Sequence, residues 1–129
     1  MSTILYIEPD AILAKTYIAA LERAGYTVKH YKHAAAAMLA ADAHKPDLVI
    51  MELQLAGHNG VDFLYEFRSY SEWQRVPIII VSVVPPYEAG FSPDVWQQLG
   101  VTRYFYKQHT SLAALVDGSR KAMAATIPA

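Results

Sequence analysis

Four polar side chains stand where runs of strand length, three of them apolar, come to an end. Glu8 follows Ile4-Leu5-Tyr6-Ile7, Glu52 follows Leu48-Val49-Ile50-Met51, Ser82 follows Ile78-Ile79-Ile80-Val81, and Lys107 follows Thr102-Arg103-Tyr104-Phe105-Tyr106. Two carboxylates, a hydroxyl and an ammonium can build an acidic pocket with a lysine paired inside it, provided the runs lie side by side. If they do not, Glu8 and Glu52 are solvated strand ends and Lys107 is an ordinary exposed lysine. Asp10, two residues beyond Glu8 and separated from it by Pro9, has an oxygen to offer a cation, but it also opens a helical pattern and reads first as an N-cap.

Other chemistries lack their residues. The absence of cysteine excludes disulfides, thiolate catalysis and Cys-based zinc or iron-sulfur sites. The five histidines, His30, His33, His44, His58 and His109, show no ligand spacing with Asp or Glu on a common helix face, so no zinc site is expected. No Gly-rich phosphate loop follows the first apolar run, where Glu8-Pro9-Asp10 stands, and no Gly-x-Ser-x-Gly elbow occurs. Eleven Lys+Arg against twelve Asp+Glu leave a net charge of -1, which removes the electrostatic case for binding nucleic acid. The apolar runs fall far short of the ~20 residues that span a bilayer. Met1-Ser2-Thr3-Ile4 lacks the basic and apolar regions of a secretory signal, so a cytoplasmic location and no membrane partner are expected.

The elements that must position the four residues follow from periodicity. The runs ending at Glu8, Glu52, Ser82 and Lys107 read as strands, with Thr27-Val28-Lys29-His30-Tyr31 as a weaker one. Ala14, Tyr17, Ile18 and Leu21 fall at helical spacing between Asp10 and Ala24, before a stop at Gly25. His33 to Ala43 is an alanine-built helix, and Gly57-His58-Asn59-Gly60 is a loop before a helix marked by Val61, Leu64 and Phe67. Val83 to Pro93, with Pro85, Pro86 and Gly90, predicts a long surface loop before a short helix from Asp94 to Leu99. Leu112, Leu115, Val116, Ser119 and Met123 set out the last helix. Five strands alternate with five helices, and three strands are apolar on both faces, which calls for a parallel sheet covered on both sides. The 129 residues suit one domain, spanning 1–129 with a core of about 3–125. Ligands of such sheets bind at the carboxyl ends of the strands, where the four polar residues stand.

Over nearly the whole chain, from Thr3 to about Ala125, the sequence resembles the receiver domain of two-component response regulators. The motifs that carry the resemblance are Ile4 to Asp10, Pro46-Asp47-Leu48-Val49-Ile50-Met51-Glu52-Leu53, Gly57-His58-Asn59-Gly60, Val76-Pro77 with the run to Ser82, and Gly100-Val101 with the run to Lys107. It implies an α/β fold, a flavodoxin-like, doubly wound (βα)5 three-layer sandwich with a parallel sheet of order 2-1-3-4-5. It also implies phosphoryl transfer onto an aspartate after the third strand. Two acids after the first strand would hold Mg²⁺, and a hydroxyl after the fourth strand and a lysine after the fifth would bind the phosphoryl oxygens. Glu8 matches the first acid, Ser82 the hydroxyl and Lys107 the lysine.

Two positions depart from that pattern. Glu52 stands where the phospho-accepting aspartate belongs, and Pro9, with no side-chain oxygen, where the second acid belongs. The extra methylene of Glu52 advances its carboxylate by about 1.3 Å, toward the place of a phosphoryl group, where Lys107 and Ser82 can meet it. Gln108 replaces the proline usual after the lysine, so no cis peptide is expected there, and the connection from Ser82 to Gly100 is a few residues longer than usual. The expected protein is therefore a pseudo-receiver: no enzyme, no phosphate taken, no cofactor, and Mg²⁺ held weakly if at all, by Glu8 and Asp10. Tyr104 matches the family's aromatic switch position, where one rotamer should dominate if Glu52 fixes the pocket. The alternative for Tyr104 is a static strand tyrosine.

Trp96, Tyr104 and Tyr106, with Pro85, Pro86, Tyr87 and Phe91, fall near the surface of fourth helix, fifth strand and fifth helix that receivers use for docking. Protein partners or a homodimer are expected there, unless Phe91 and Trp96 merely seal the core. No output domain follows Ala125, so output is expected through a partner, a second copy or a further domain. Two other readings stay open: a receiver still phosphorylated by a histidine kinase with Mg²⁺, and a flavodoxin-like binder of a cofactor or small molecule.

Overall fold

The structure, a computed structural model, describes residues 2–55, 58–90 and 92–125, with only the backbone of His58. Gly57, Phe91 and the His58 side chain, each noted above, lie outside the described residues. In chain order the regular elements are β1 Thr3–Ile7, α1 Ala11–Arg23, β2 Thr27–Tyr31, α2 Ala34–Ala43 and β3 Leu48–Met51. Two short strands follow, β4 Gln54–Leu55 and β5 His58–Asn59, then α3 Gly60–Ser69, β6 Ile78–Ser82, α4 Pro93–Gln98, β7 Val101–Tyr106 and α5 Leu112–Ala124.

The five long strands form one parallel sheet of order β2-β1-β3-β6-β7. This is the expected 2-1-3-4-5 order, once β6 and β7 are counted as the fourth and fifth long strands. The three central strands are buried on both faces, which is why they read as continuous apolar runs. One face, with Leu5, Ile7, Val49, Met51 and Ile80, packs on α2 and α3 through Ala37, Ala41, Phe63, Leu64 and Phe67. The other, with Ile4, Tyr6, Ile50 and Ile79, packs on α1 and α5 through Ala14, Tyr17, Leu21 and Leu115.

Three details differ from the sequence reading. The segment Gly57 to Gly60, expected as loop, holds β5, whose antiparallel pairing with β4 opposes Gln54 to Asn59 and Leu55 to His58. Two-residue strands leave no periodicity to read. In α5 the buried stripe is Leu115, Gly118, Ser119 and Ala122, with Leu112 exposed. Gly118 sets that rotation, because a Cβ there would come within 2.8 Å of the Phe105 ring. The surface loop after β6 contains a 3-10 turn, Pro86–Glu88, and α4 begins at Pro93, where a missing N–H costs nothing.

Arg68 ties the opposite end of the sheet together. Its guanidinium donates to the carbonyls of Leu99 at 2.7 Å, Trp73 at 2.5 Å and Val76, joining α3 to the end of α4 and the start of β6. Burial lowers its pKa to about 10, so it stays charged at neutral pH. The left-handed turn at Gly100, φ +74°, leaves the room that a side chain would take from Arg68.

Candidate functional site

Parallel register brings the four strand-end residues to one edge. Ile7 lies opposite Met51, Met51 opposite Ile80, and Ser82 opposite Tyr106, so Glu8, Glu52, Ser82 and Lys107 close adjacent strands. The ladder holds the two glutamates by their backbones: Glu8 N–H donates to Tyr31 O and Glu52 N–H to Ile7 O, both at 3.0 Å. Each glutamate is only 2% exposed. Buried carboxylates require partners, and both find the same one. Lys107 Nζ donates to Glu8 Oε1 at 2.6 Å and to Glu52 Oε1 at 2.8 Å.

Glu52 takes every further donor in reach. Ser82 Oγ donates to its Oε2, Gln54 N–H reaches the same oxygen at 3.0 Å, and Val83 N–H reaches Oε1 at 3.0 Å. Burial pushes the Glu52 carboxyl up, but the hydrogen bonds from Lys107 and Ser82, followed by Gln54 N–H and the lysine charge, outweigh it and hold it below the ordinary range. Burial likewise disfavours the Lys107 ammonium, and the two glutamates overcome it and raise its pKa. The result is a closed triad, two anions around one cation.

The remaining predicted residues are placed as follows. Asp10 is an N-cap: its Oδ1 accepts from Ile12 N–H at 3.1 Å and Leu13 N–H at 3.0 Å. Its own N–H donates to Glu8 Oε2 at 3.1 Å, so the cap and the triad share a turn, with Pro9 between them. Ser82 Oγ also accepts from Val84 N–H at 3.0 Å, and Val84 O in turn accepts from the Tyr104 hydroxyl at 2.5 Å. Tyr104 is therefore held inward, edge-on to a half-buried Trp96, with ring centroids 5.6 Å apart. Tyr106 turns away from the triad and meets His109 edge-on at 5.0 Å.

Three participants escape a reading of strand ends. His30 Nε2 lies 2.9 Å from Glu8 O, fixing the backbone behind the first glutamate. Gly60 lets α3 start against β3: a Cβ there would lie 2.8 Å from Leu53 Cα and 3.0 Å from Glu52 O. The Tyr6 hydroxyl is buried with no hydrogen-bond partner among the described residues, and burial and then Glu8 raise its pKa. Within an apolar run, a tyrosine reads as one more core residue. Gly60 alone left a signal, as the last residue of a Gly-x-x-Gly segment.

These donors fit a divalent cation poorly, because most carboxylate oxygens of the pocket already accept from Lys107, Ser82 or backbone N–H groups. Mg²⁺ takes six oxygens in near-octahedral array. Glu8 accepts from Lys107 on one oxygen and from a backbone N–H on the other, both Glu52 oxygens are filled, Asp10 caps α1 through Oδ1 and keeps Oδ2, and Pro9 has none to give. Among the described residues no three His, Asp or Glu side chains converge as a metal cluster. The pocket's own ammonium sits where the two carboxylates meet.

Comparison with known proteins gives this arrangement a lineage. The sequence pattern of the response regulator receiver domain matches residues 4–112. The chain is 32% identical over 111 residues to the transcriptional regulatory protein KdpE of Mycobacterium tuberculosis, covering 81% of this chain and 48% of that protein. It is 30% identical over 82 residues to the KDP operon regulatory protein KdpE of Escherichia coli, covering 64% of this chain and 35% of the relative. The chain thus spans less than half the length of these regulators. Among solved structures, the non-phosphorylated HemR receiver domain from Leptospira biflexa aligns with a TM-score of 0.83 at 22% identity, over 100% of this chain and 99% of that one. A sensor protein from Polaromonas sp. JS666 aligns with a TM-score of 0.85 at 22% identity, over 95% and 96%. No described helix is long and apolar enough to cross a membrane. Sheet order and sequence agree: the chain belongs to the response regulator receiver domain family, the signalling module of two-component systems.

Proposed function

We propose that this receiver works without phosphorylation, as a pseudo-receiver whose Glu52 carboxylate fills the place of the phosphoryl group. The observation that carries the reading is the saturation of Glu52. Its two oxygens accept from Ser82 Oγ, Val83 N–H, Gln54 N–H and Lys107 Nζ, the hydroxyl, lysine and backbone donors that would otherwise face phosphoryl oxygens. Two further features support it. The position of the second acid is Pro9, and the oxygens of Glu8 are engaged by Lys107 and Asp10 N–H, which leaves Asp10 Oδ2 as the one acidic oxygen near the strand ends to hold Mg²⁺ for a transferring phosphoryl group. A carboxylate tied to a cation and to backbone N–H groups is also a poor nucleophile, because its lone pairs are in use.

Output then runs through protein contact. The inward Tyr104, the half-buried Trp96 and Tyr106 lie on α4 and β7, the exposed Tyr87 lies in the loop that leads to α4, and α5 completes this face. Aromatic side chains with a polar tip suit partner binding. One protein surface, held in one state by the triad, is the functional unit of this reading, and the partner is a protein or a second copy.

The test is incubation with acetyl phosphate and Mg²⁺, and separately with a phosphorylated histidine kinase, followed by intact mass. No added phosphoryl group is expected under either condition. A stoichiometric acyl phosphate, on Glu52 or a neighbour, would overturn the proposal.

A further inference from the structure

The chain holds a single asparagine, Asn59, and a glycine follows it. Asparagine is chemically labile, and most so before glycine, which has no Cβ to shield its backbone nitrogen. The Gly60 nitrogen, on losing its proton to base, attacks Asn59 Cγ. A C–N bond forms, the Cγ–Nδ2 bond breaks, and Nδ2 leaves as ammonia. Water then opens the five-membered succinimide at either carbonyl, giving aspartate or, with the backbone running through the side chain, isoaspartate. One water is consumed and one ammonia released, and no oxidant or reductant takes part. Asn59 is exposed, so water and base reach it.

The fold opposes the first step at both reacting atoms. Gly60 N–H donates to Leu53 O at 2.7 Å, so the proton that must leave is held against a carbonyl. Gly60 is buried, and backbone atoms of Leu53 and Glu52 stand within 3.0 Å of where a Cβ would be, which leaves its nitrogen no room to swing. On the other side of the bond, Asn59 Oδ1 accepts from Val61 N–H at 2.9 Å, turning the side chain toward α3 as its N-cap. The backbone at Asn59 is extended, with ψ 128°, and pairing with Gln54 in the β4–β5 ladder keeps it so. Ring closure needs rotation about that ψ. The rotation takes Gly60 off Leu53 and the cap off Val61 together.

We infer that Asn59–Gly60 is a latent deamidation site, closed while α3 is seated on the end of β3 and open when that seat is lost. Its two products differ in what they do to the pocket. Aspartate at 59 keeps a capping oxygen and sets a negative charge at the positive end of α3, a favourable place. Isoaspartate adds a methylene to the backbone between β5 and α3. The Gly60 contact with Leu53 and the Gln54 pairing then no longer fit one chain length. Gln54 N–H donates to Glu52 Oε2 at 3.0 Å, so the altered turn borders the triad directly. The inference rests on this turn alone and holds whether or not the receiver takes phosphate.

The whole chain, held in mildly alkaline buffer with and without guanidinium chloride above the unfolding midpoint, tests it by intact mass and peptide mapping over time. The unfolded chain is expected to exchange NH2 for OH in the peptide that carries Asn59, and Asn59→Gln to show no such gain there. The folded chain is expected to react at least about tenfold more slowly, as a site that must first open locally. Equal rates in the two states overturn the inference, and so does an unfolded chain that does not react. The aspartate and isoaspartate products are then separated and refolded. The aspartate product and Asn59→Asp are expected to unfold at the wild-type midpoint, and the isoaspartate product at a lower one. An isoaspartate product as stable as wild type overturns the seat of α3 as the lock.

Discussion

Glu52 and Lys107 are unequal members of the triad, and their substitutions should show it. Replacing Glu52 by Gln removes one of two anions and turns an NH2 toward one pair of its donors, which leaves a backbone N–H unpaired but keeps Lys107 paired with Glu8. Replacing Lys107 by Met removes the only cation and strands two buried carboxylates side by side. Breaking a buried pair so that charge is left uncompensated costs about 3–5 kcal/mol, whereas a charge-assisted hydrogen bond alone is worth about 1.5–3 kcal/mol. Lys107→Met should therefore lower the urea-unfolding free energy by about 3 kcal/mol or more, and Glu52→Gln by clearly less. Equal losses would mean the two pairings are independent. The pH dependence follows from the same contacts. Glu52 titrates below the ordinary carboxyl value of 4.5 in the folded chain, so its stabilisation is present above that pH and lost as pH falls through the folded value. Lys107 titrates above the ordinary 10.5, so its stabilisation is present below that pH and lost as pH rises through the folded value. The triad's contribution to the urea midpoint should be flat between about pH 5 and 10, and Lys107→Met should remove its alkaline decline.

At the scale of elements, the site depends on how closely α3 starts against the end of β3. Gly60 N–H donates to Leu53 O at 2.7 Å, and there is no room for a Cβ between this helix start and the Glu52–Leu53 backbone. Gly60→Ala must move α3 or the strand end, a crowding that costs about 1–3 kcal/mol. Its effect should reach the triad, because Gln54 N–H, a donor to Glu52, lies in the displaced turn. A nuclear magnetic resonance titration of Glu52 should show its pKa rising toward the ordinary range in Gly60→Ala. An unchanged titration would confine the glycine to packing. On the other side of the pocket, Ser82 at the end of β6 accepts from Val84, whose carbonyl accepts from Tyr104, so β7 is tied to Glu52 by a chain of hydrogen bonds and meets α4 through the Trp96–Tyr104 ring contact. The alanines of α2 belong to this scale too: they make a good helix by propensity, and only tertiary packing reveals that Ala35, Ala36 and Ala43 face water.

For the whole molecule, the three central strands were legible because burial on both faces writes continuous apolar runs, the helices because apolar residues recur at helical spacing, and the strand order followed from the family resemblance. Glu8, Glu52 and Ser82 were legible because each central run stops at a polar residue, and Lys107 through the resemblance. What escaped is the second pairing of Lys107, with Glu8 as well as the expected Glu52, the fit of Gly60 against the end of β3, and the Tyr6 hydroxyl, which has no hydrogen-bond partner among the described residues, each decided by packing that no local pattern records. The completed pocket also fixes how global stability should respond to ligand. A species that binds only the folded chain stabilises it by RT ln(1 + [L]/Kd), about 2.7 kcal/mol when ligand stands at a hundred times Kd. Beryllofluoride with Mg²⁺ would need the Ser82, Val83 and Lys107 donors, all committed to Glu52, and oxygens that Pro9 cannot give. Millimolar beryllofluoride and Mg²⁺ should accordingly leave the wild-type urea midpoint unchanged. Glu52→Asp combined with Pro9→Asp shortens one carboxylate away from those donors and supplies another to a cation. The double variant should gain a Mg²⁺-dependent rise in midpoint on adding beryllofluoride. A rise of equal size in wild type would show that the donors exchange readily, and that the triad is a resting contact and not a lock.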